Sequence, residues 1–322
     1  MEDVVVASDL VGCRYRLVQR RAHPEMPRTH ASIARAERHA AAVEAVMQML
    51  PRRGSGRFRR IDLEGDEWER SMRTLEAVVS GYTHITNAVF ATEEWMVHVD
   101  VLLREGDKYT PIIVSNHRVA RKNDTKTTLA VPTHRLGLSE PLEAPYKLRH
   151  HAVDGYRLAF AARALQDLGL DSGRGGAIGQ DRTRAFFTDT ARFDLERAWN
   201  QPLPTAPVRV KECASCRFWS LCEPELVAAD DISLFLSGDR AKPYRERGIT
   251  SVQALIDADL GEPSRLAAAW RAGEVLLRRG DVNVPRADVE VDVDMEAYLD
   301  QGAYLWGCLL YTSDAADERS SV

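Results

Sequence analysis

The sequence predicts an α/β fold, on three observations. A long alanine-rich helical stretch runs from Ile33 to Leu50. A strand–turn–strand unit follows, with Trp95–Leu103 and Tyr109–Val114 joined by the turn Glu105-Gly106-Asp107. A second long helical stretch, Leu148 to Leu168, places Tyr156, Leu158, Phe160, Ala161, Leu165 and Leu168 among its apolar positions and closes at Gly169. Interleaved helical and extended segments of this kind build a sheet with helices packed on it.

The 322 residues leave room for more than one domain, and 44% hydrophobic with 28% charged residues is a globular composition. No apolar run approaches the roughly 20 residues that cross a bilayer, so no membrane partner is expected. Met1-Glu2-Asp3 opens the chain without a signal-peptide pattern, so a cytoplasmic location is expected. That compartment favours metal-bound thiolates over disulfides. A net charge of −5 excludes a polybasic coat and confines any nucleic-acid contact to a local groove.

The most specific motif is Cys213-Ala-Ser-Cys216-Arg-Phe-Trp-Ser-Leu-Cys222, a C-x2-C-x5-C triplet, with Cys13 far upstream. A C-x-x-C turn aims two sulfurs at one centre and the third cysteine joins them, leaving one corner for Cys13. Three outcomes suit this chemistry: an iron–sulfur cluster tying the two ends of a domain together, a structural zinc, or buried thiols.

Cys13 in Ser8-Asp9-Leu10-Val11-Gly12-Cys13-Arg14-Tyr15-Arg16, together with the late triplet, resembles the iron–sulfur branch of the RecB-family nucleases over about residues 4–226. The resemblance implies a restriction-endonuclease-like core over 1–226 and a [4Fe–4S] cluster on Cys13, Cys213, Cys216 and Cys222. It implies Mg²⁺- or Mn²⁺-dependent hydrolysis of DNA, single-stranded or at ends, in repair or recombination, with a helicase or repair partner. In that family an Asp on one strand and an acidic-x-Lys triplet on the next hold the ion that activates water. Asp100 matches the first position. In Ile112-Ile113-Val114-Ser115-Asn116-His117-Arg118, Ser115 stands where the family has a carboxylate and His117 where it has lysine. His39 resembles a family histidine that reaches the metal. Tyr156 and Phe160 fall where the family has Gln-x-x-x-Tyr. A serine is a poor ligand for a hard divalent ion, and a neutral histidine lacks the charge of lysine. The alternative implied is therefore an inactive nuclease fold that binds single-stranded DNA or a partner protein. A zinc-stabilised binding module without a nucleic-acid role is a third reading.

The remaining segments complete the order. Residues 8–21 read as a short helix carrying Arg14, Arg16, Arg20 and Arg21, facing either phosphates or solvent. Pro51 and Arg52-Arg53-Gly54-Ser55-Gly56 end the first long helix, residues 66–80 form another, and Ala88-Val89-Phe90 begins the strands. Residues 118–142 read as irregular, with Arg118, Arg121, Lys122 and Lys126 lying over a DNA groove or simply exposed. Asp171–Gln180 reads as a glycine-rich turn without phosphate-loop spacing. Ala185-Phe186-Phe187 suggests a last strand and Phe193 a helix.

A boundary is placed near 226. Residues 227–280 read as a small helical module whose Ser237-Gly238-Asp239 and Arg247-Gly248-Ile249-Thr250-Ser251-Val252 resemble a helix-hairpin-helix. Residues 281–307 contain Val289 to Tyr298, which alternates apolar and acidic positions. There Asp294 and Glu296 resemble the first metal-binding motif of RNase H-like 3′–5′ exonucleases, giving one strand of a truncated domain. Residues 308–322 read as a non-native tail, and Cys308 is given no role.

Overall fold

Helices pack against both faces of an eight-stranded mixed sheet in the first of the two units into which the chain divides, Met1–Ala267 and Ala268–Val322. The computed structural model describes residues 4–52, 58–278, 280–281, 283, 287–297 and 303–312. A 3-10 turn over Ala7–Leu10 leads to α1 (Tyr15–Ala22), so the helix expected over 8–21 is broken. The break falls at Gly12, whose φ of 68° is left-handed. Helix α2 (His30–Met49) is capped by the Thr29 hydroxyl, which accepts from Ser32 N at 3.2 Å. Most of the turn expected after it, residues 53–56, lies outside the described residues.

Strand β1 (Arg60–Asp62) precedes α3 (Glu67–Val79), which starts on a reciprocal cap. Asp66 accepts from Trp68 N and Glu69 N, and Glu69 accepts from Asp66 N. Next come β2 (His84–Ala91), β3 (Met96–Glu105) and β4 (Lys108–Val114), the last two joined by a hairpin at Gly106. Residues 118–148 contain four short strands, β5 (Ala120–Lys122), β6 (Thr128–Pro132), β7 (Leu142–Ala144) and β8 (Tyr146–Leu148). Then follow α4 (Ala152–Asp167), β9 (Arg174–Ile178), β10 (Arg184–Asp189) and α5 (Leu195–Trp199).

The sheet runs β1-β2-β3-β4-β9-β10-β6-β7, with β1/β2 and β4/β9 parallel and the other pairs antiparallel. Sequence reading expected a turn where β9 lies. Gly175 and Gly176 are buried there, and a Cβ on either would press into Leu158 of α4 or Ile112 of β4. Glycine here serves close packing of a central strand, not a turn. One core layer joins Ala77 and Val78 of α3 and Phe160, Ala161 and Leu165 of α4 to Val97, Val99 and Leu102. The other joins Val46 and Met47 of α2 to Val101, Leu103, Ile112 and Val114. The parity of inward residues on β3 thus switches at Asp100. Opposite it on β2 stands Asn87, whose φ is 56°. A local irregularity of this kind re-aims a side chain.

Helices α6 (Trp219–Ala228), α7 (Lys242–Arg245), α8 (Val252–Asp257) and α9 (Glu262–Arg271) follow. Ile232, Ala241, Val252, Leu255 and Ala267 form a small core of their own. This module starts inside the first unit: Arg209 N donates to Ser233 Oγ and Gly238 N to Arg209 O, each at 2.8 Å. In the second unit β11 (Val289–Ala297) pairs antiparallel with β12 (Ala303–Thr312), so the alternating acidic stretch is a hairpin strand. Residues 313–322 lie outside the described residues. Among the described residues no helix is long and apolar enough to cross a membrane.

Candidate functional site

The four expected cysteines line one small pocket with Arg16, Gln19, Phe218, Trp219 and Leu226. The 3-10 turn Lys211–Ser215 makes the C-x2-C knuckle: Val210 N donates to Cys213 Sγ at 3.3 Å and Cys216 N to Cys213 O at 3.2 Å. Helix α6 brings in Cys222, to which Gln19 of α1 donates at 3.9 Å. Cys13 arrives from the N-terminal segment, where Gly12 passes so close to Glu212 that a Cβ would stand 2.7 Å from its Oε1. The Thr29 hydroxyl donates to Ser215 O at 3.1 Å and Arg217 to Met26 O at 2.7 Å, further tying the two chain regions together.

None of the five cysteines forms a disulfide. Burial and then the charge of Cys216 push the Cys13 thiol up, and burial with Cys13 and Cys216 pushes Cys213 up. Cys222 is pushed up to about 12, by burial first and then by Cys13, Cys216, Glu225 and Cys213. Four thiols within each other's field can deprotonate together only beside compensating positive charge. Among the described residues, though, no group of three or more His, Cys, Asp or Glu side chains is already arranged to hold a metal ion.

The core site forms where β3, β4 and α4 meet. Asp100 is buried, 7% exposed, and its Oδ2 accepts from Val114 N at 2.6 Å and from Arg157 Nη2 at 2.9 Å. The Arg157 guanidinium also donates to His98 O and Val114 O, at 3.1 and 3.3 Å. Ser115 Oγ donates to Asp154 Oδ2 at 2.6 Å and accepts from His117 N at 3.1 Å. Arg182 donates to Ser115 O and Gly179 O, each at 2.8 Å, and to Asn116 Oδ1 at 3.3 Å. The His117 ring stacks on His151 with centroids 3.8 Å apart.

His39 of α2 faces this group. Burial holds its pKa below the ordinary imidazole value, Arg157 and Arg182 lower it further, and Asp100 and Asp154 oppose them. Ser115 is thus bonded to Asp154 and to the His117 backbone, and His39 feels the charges of Asp100 and Asp154. Asp154 and Arg157 went unread, although their i,i+3 spacing near the start of α4 sets them on one helix face. The two aromatics read against the family pattern lie elsewhere. Phe160 is buried between Trp95 and Trp199, and Tyr156 packs on the same cluster.

Three of the N-terminal arginines bond within the protein: Arg20 pairs with Asp9 at 2.8 Å, Arg16 donates to Ser8 O, and Arg14 donates to Gln201 O at 2.8 Å. In the second unit Asp294 and Glu296 lie exposed on β11, opposite Gly307 and Leu305. Gly248, with φ 80°, meets open space at the place read as a hairpin. Compared with known proteins, the chain matches no family model, no curated protein and no solved structure.

Proposed function

We propose that this chain is a RecB-like nuclease-fold module that holds DNA at its core, cleaves it weakly or not at all, and is braced by a [4Fe–4S] cluster on Cys13, Cys213, Cys216 and Cys222. The observation that carries the reading is the Arg157–Asp100 ion pair. On Asp100, Arg157 and Val114 N already fill Oδ2, which leaves Oδ1 to a divalent ion. Ser115 offers only a hydroxyl where the family has a carboxylate, and the other acid there, Asp154, already accepts that hydroxyl on Oδ2. Arg157 is therefore the counter-charge that a Mg²⁺ or Mn²⁺ at Asp100 must displace. It supplies fixed positive charge to a buried carboxylate.

The cysteine pocket supports the other half of the reading, since its four sulfurs come from both ends of residues 13–222. When bound, a cluster there supplies a cross-link across that long loop. The test is cleavage of a labelled single strand with Mg²⁺ and with Mn²⁺. Slow or undetectable cleavage is expected, with any residue of activity lost in Asp100→Ala. The triple change Ser115→Glu/His117→Lys/Arg157→Gln should raise Mg²⁺-dependent cleavage. Brisk cleavage by the unmodified chain, insensitive to Asp100→Ala, would place the chemistry elsewhere.

A further inference from the structure

Two short strands leave the core site together. β5 begins three residues after His117, and β8 ends three residues before His151. They pair outside the main sheet, Ala120 with Leu148, Arg121 with Lys147 and Lys122 with Tyr146. The inner face is apolar: Ala120 packs with Val119, Ala130 and Phe186, and Tyr146 and Leu148 rest on that cluster. The outer face sets Arg121 directly opposite Lys147. Like charges facing each other across a strand pair repel, and a ribbon of three residue pairs has little hydrogen bonding with which to offset them.

The surroundings add to the charge. Arg118, Lys122, Lys126 and Arg149 are exposed beside the pair, and among the described residues none of these six cations makes an ion pair. The nearby acids, Asp124 at the tip and Glu143 bonded to Thr127, lie at the end away from the site. In a chain of net charge −5 such a strip stands out. A line of long, flexible cations suits a ligand whose negative charge repeats along a line.

We infer that the outer face of the β5–β8 ribbon grips the phosphodiester backbone of a nucleic-acid strand that runs past the core site, an inference that rests on the DNA-binding reading above. Arg121 and Lys147 contact phosphates directly, and the bound anion relieves their mutual repulsion. The test is fluorescence anisotropy of the full chain with a labelled oligothymidylate of about 20 nucleotides and with a duplex of the same length, across a salt series.

Arg121→Ala/Lys147→Ala should flatten the slope of log affinity against log salt, by about 1.4 for the single strand or about 1.8 for the duplex. It should weaken binding several-fold without lowering the thermal midpoint. The duplex and single-strand arms show which form supplies the backbone. Arg104→Ala/Arg163→Ala, which removes two exposed cations outside the ribbon, should leave the slope unchanged. An unchanged slope in the ribbon variant, with the unmodified chain binding, would overturn the ribbon assignment alone, as would an equal loss in the control. Failure of the unmodified chain to bind either nucleic acid would overturn the DNA-binding reading and the ribbon with it.

Discussion

Asp100 and Arg157 each keep the other tolerable in a low-dielectric site, their side chains 9% and 15% exposed. Removing one partner strands the other. Arg157→Met should therefore cost about 3–5 kcal/mol of unfolding free energy, and adding Asp100→Asn to it should recover part of that loss. Urea unfolding of the two singles and the double measures the coupling; additive effects would mean the pair carries no mutual stabilisation. Histidines set the acid response. His39 and His84 sit below the ordinary imidazole value, both chiefly through burial; in His84 the Leu136 carbonyl opposes this and Arg60 adds to it. With folded pKa values below the unfolded one, unfolding takes up protons. Their stabilisation is full above about 6.5 and is lost as pH falls through the folded values. Urea unfolding near neutrality and at about pH 5 should show that loss, and His84→Gln should reduce the acid slope. An identical slope in the variant would assign the acid sensitivity to other groups.

At the scale of elements, the knuckle at Lys211–Ser215 meets the N-terminal segment at Gly12 and Thr29, and Cys222 of α6 meets it at Gln19. Cys216→Ser should lower the thermal midpoint and open residues 8–21 to protease, and unchanged proteolysis there would reduce the thiols to packing. Strong periodicity made several elements legible beforehand: α2, α3, the β3–β4 hairpin and α4 all lie near their expected positions. Asp100, singled out through the family resemblance, lies mid-strand in β3 beside Arg157. β9 was not legible, since glycines that read as a turn in one dimension serve close approach in three. Asp154 and Arg157 were not, because only tertiary packing brings the first turns of α4 onto Ser115 and Asp100. The like-charge register of β5 and β8 was hidden for the same reason: Arg121 and Lys147 lie far apart in sequence and meet only through pairing.

Across the whole molecule, an acidic chain sets Arg157 and Arg182 inside the core site and a strip of exposed cations beside it. That distribution suits holding a polyanion without coating the protein in charge. The second unit keeps four carboxylates, Glu290, Asp292, Asp294 and Glu296, at alternate positions of β11. The most direct test of whether Arg157 stands in the metal's place is a Mn²⁺ titration followed by electron paramagnetic resonance, comparing the unmodified chain, Asp100→Asn and Arg157→Gln. The expected result is superimposable curves for the unmodified chain and Asp100→Asn, with an added site in Arg157→Gln. A tight Mn²⁺ site in the unmodified chain that Asp100→Asn abolishes would contradict it.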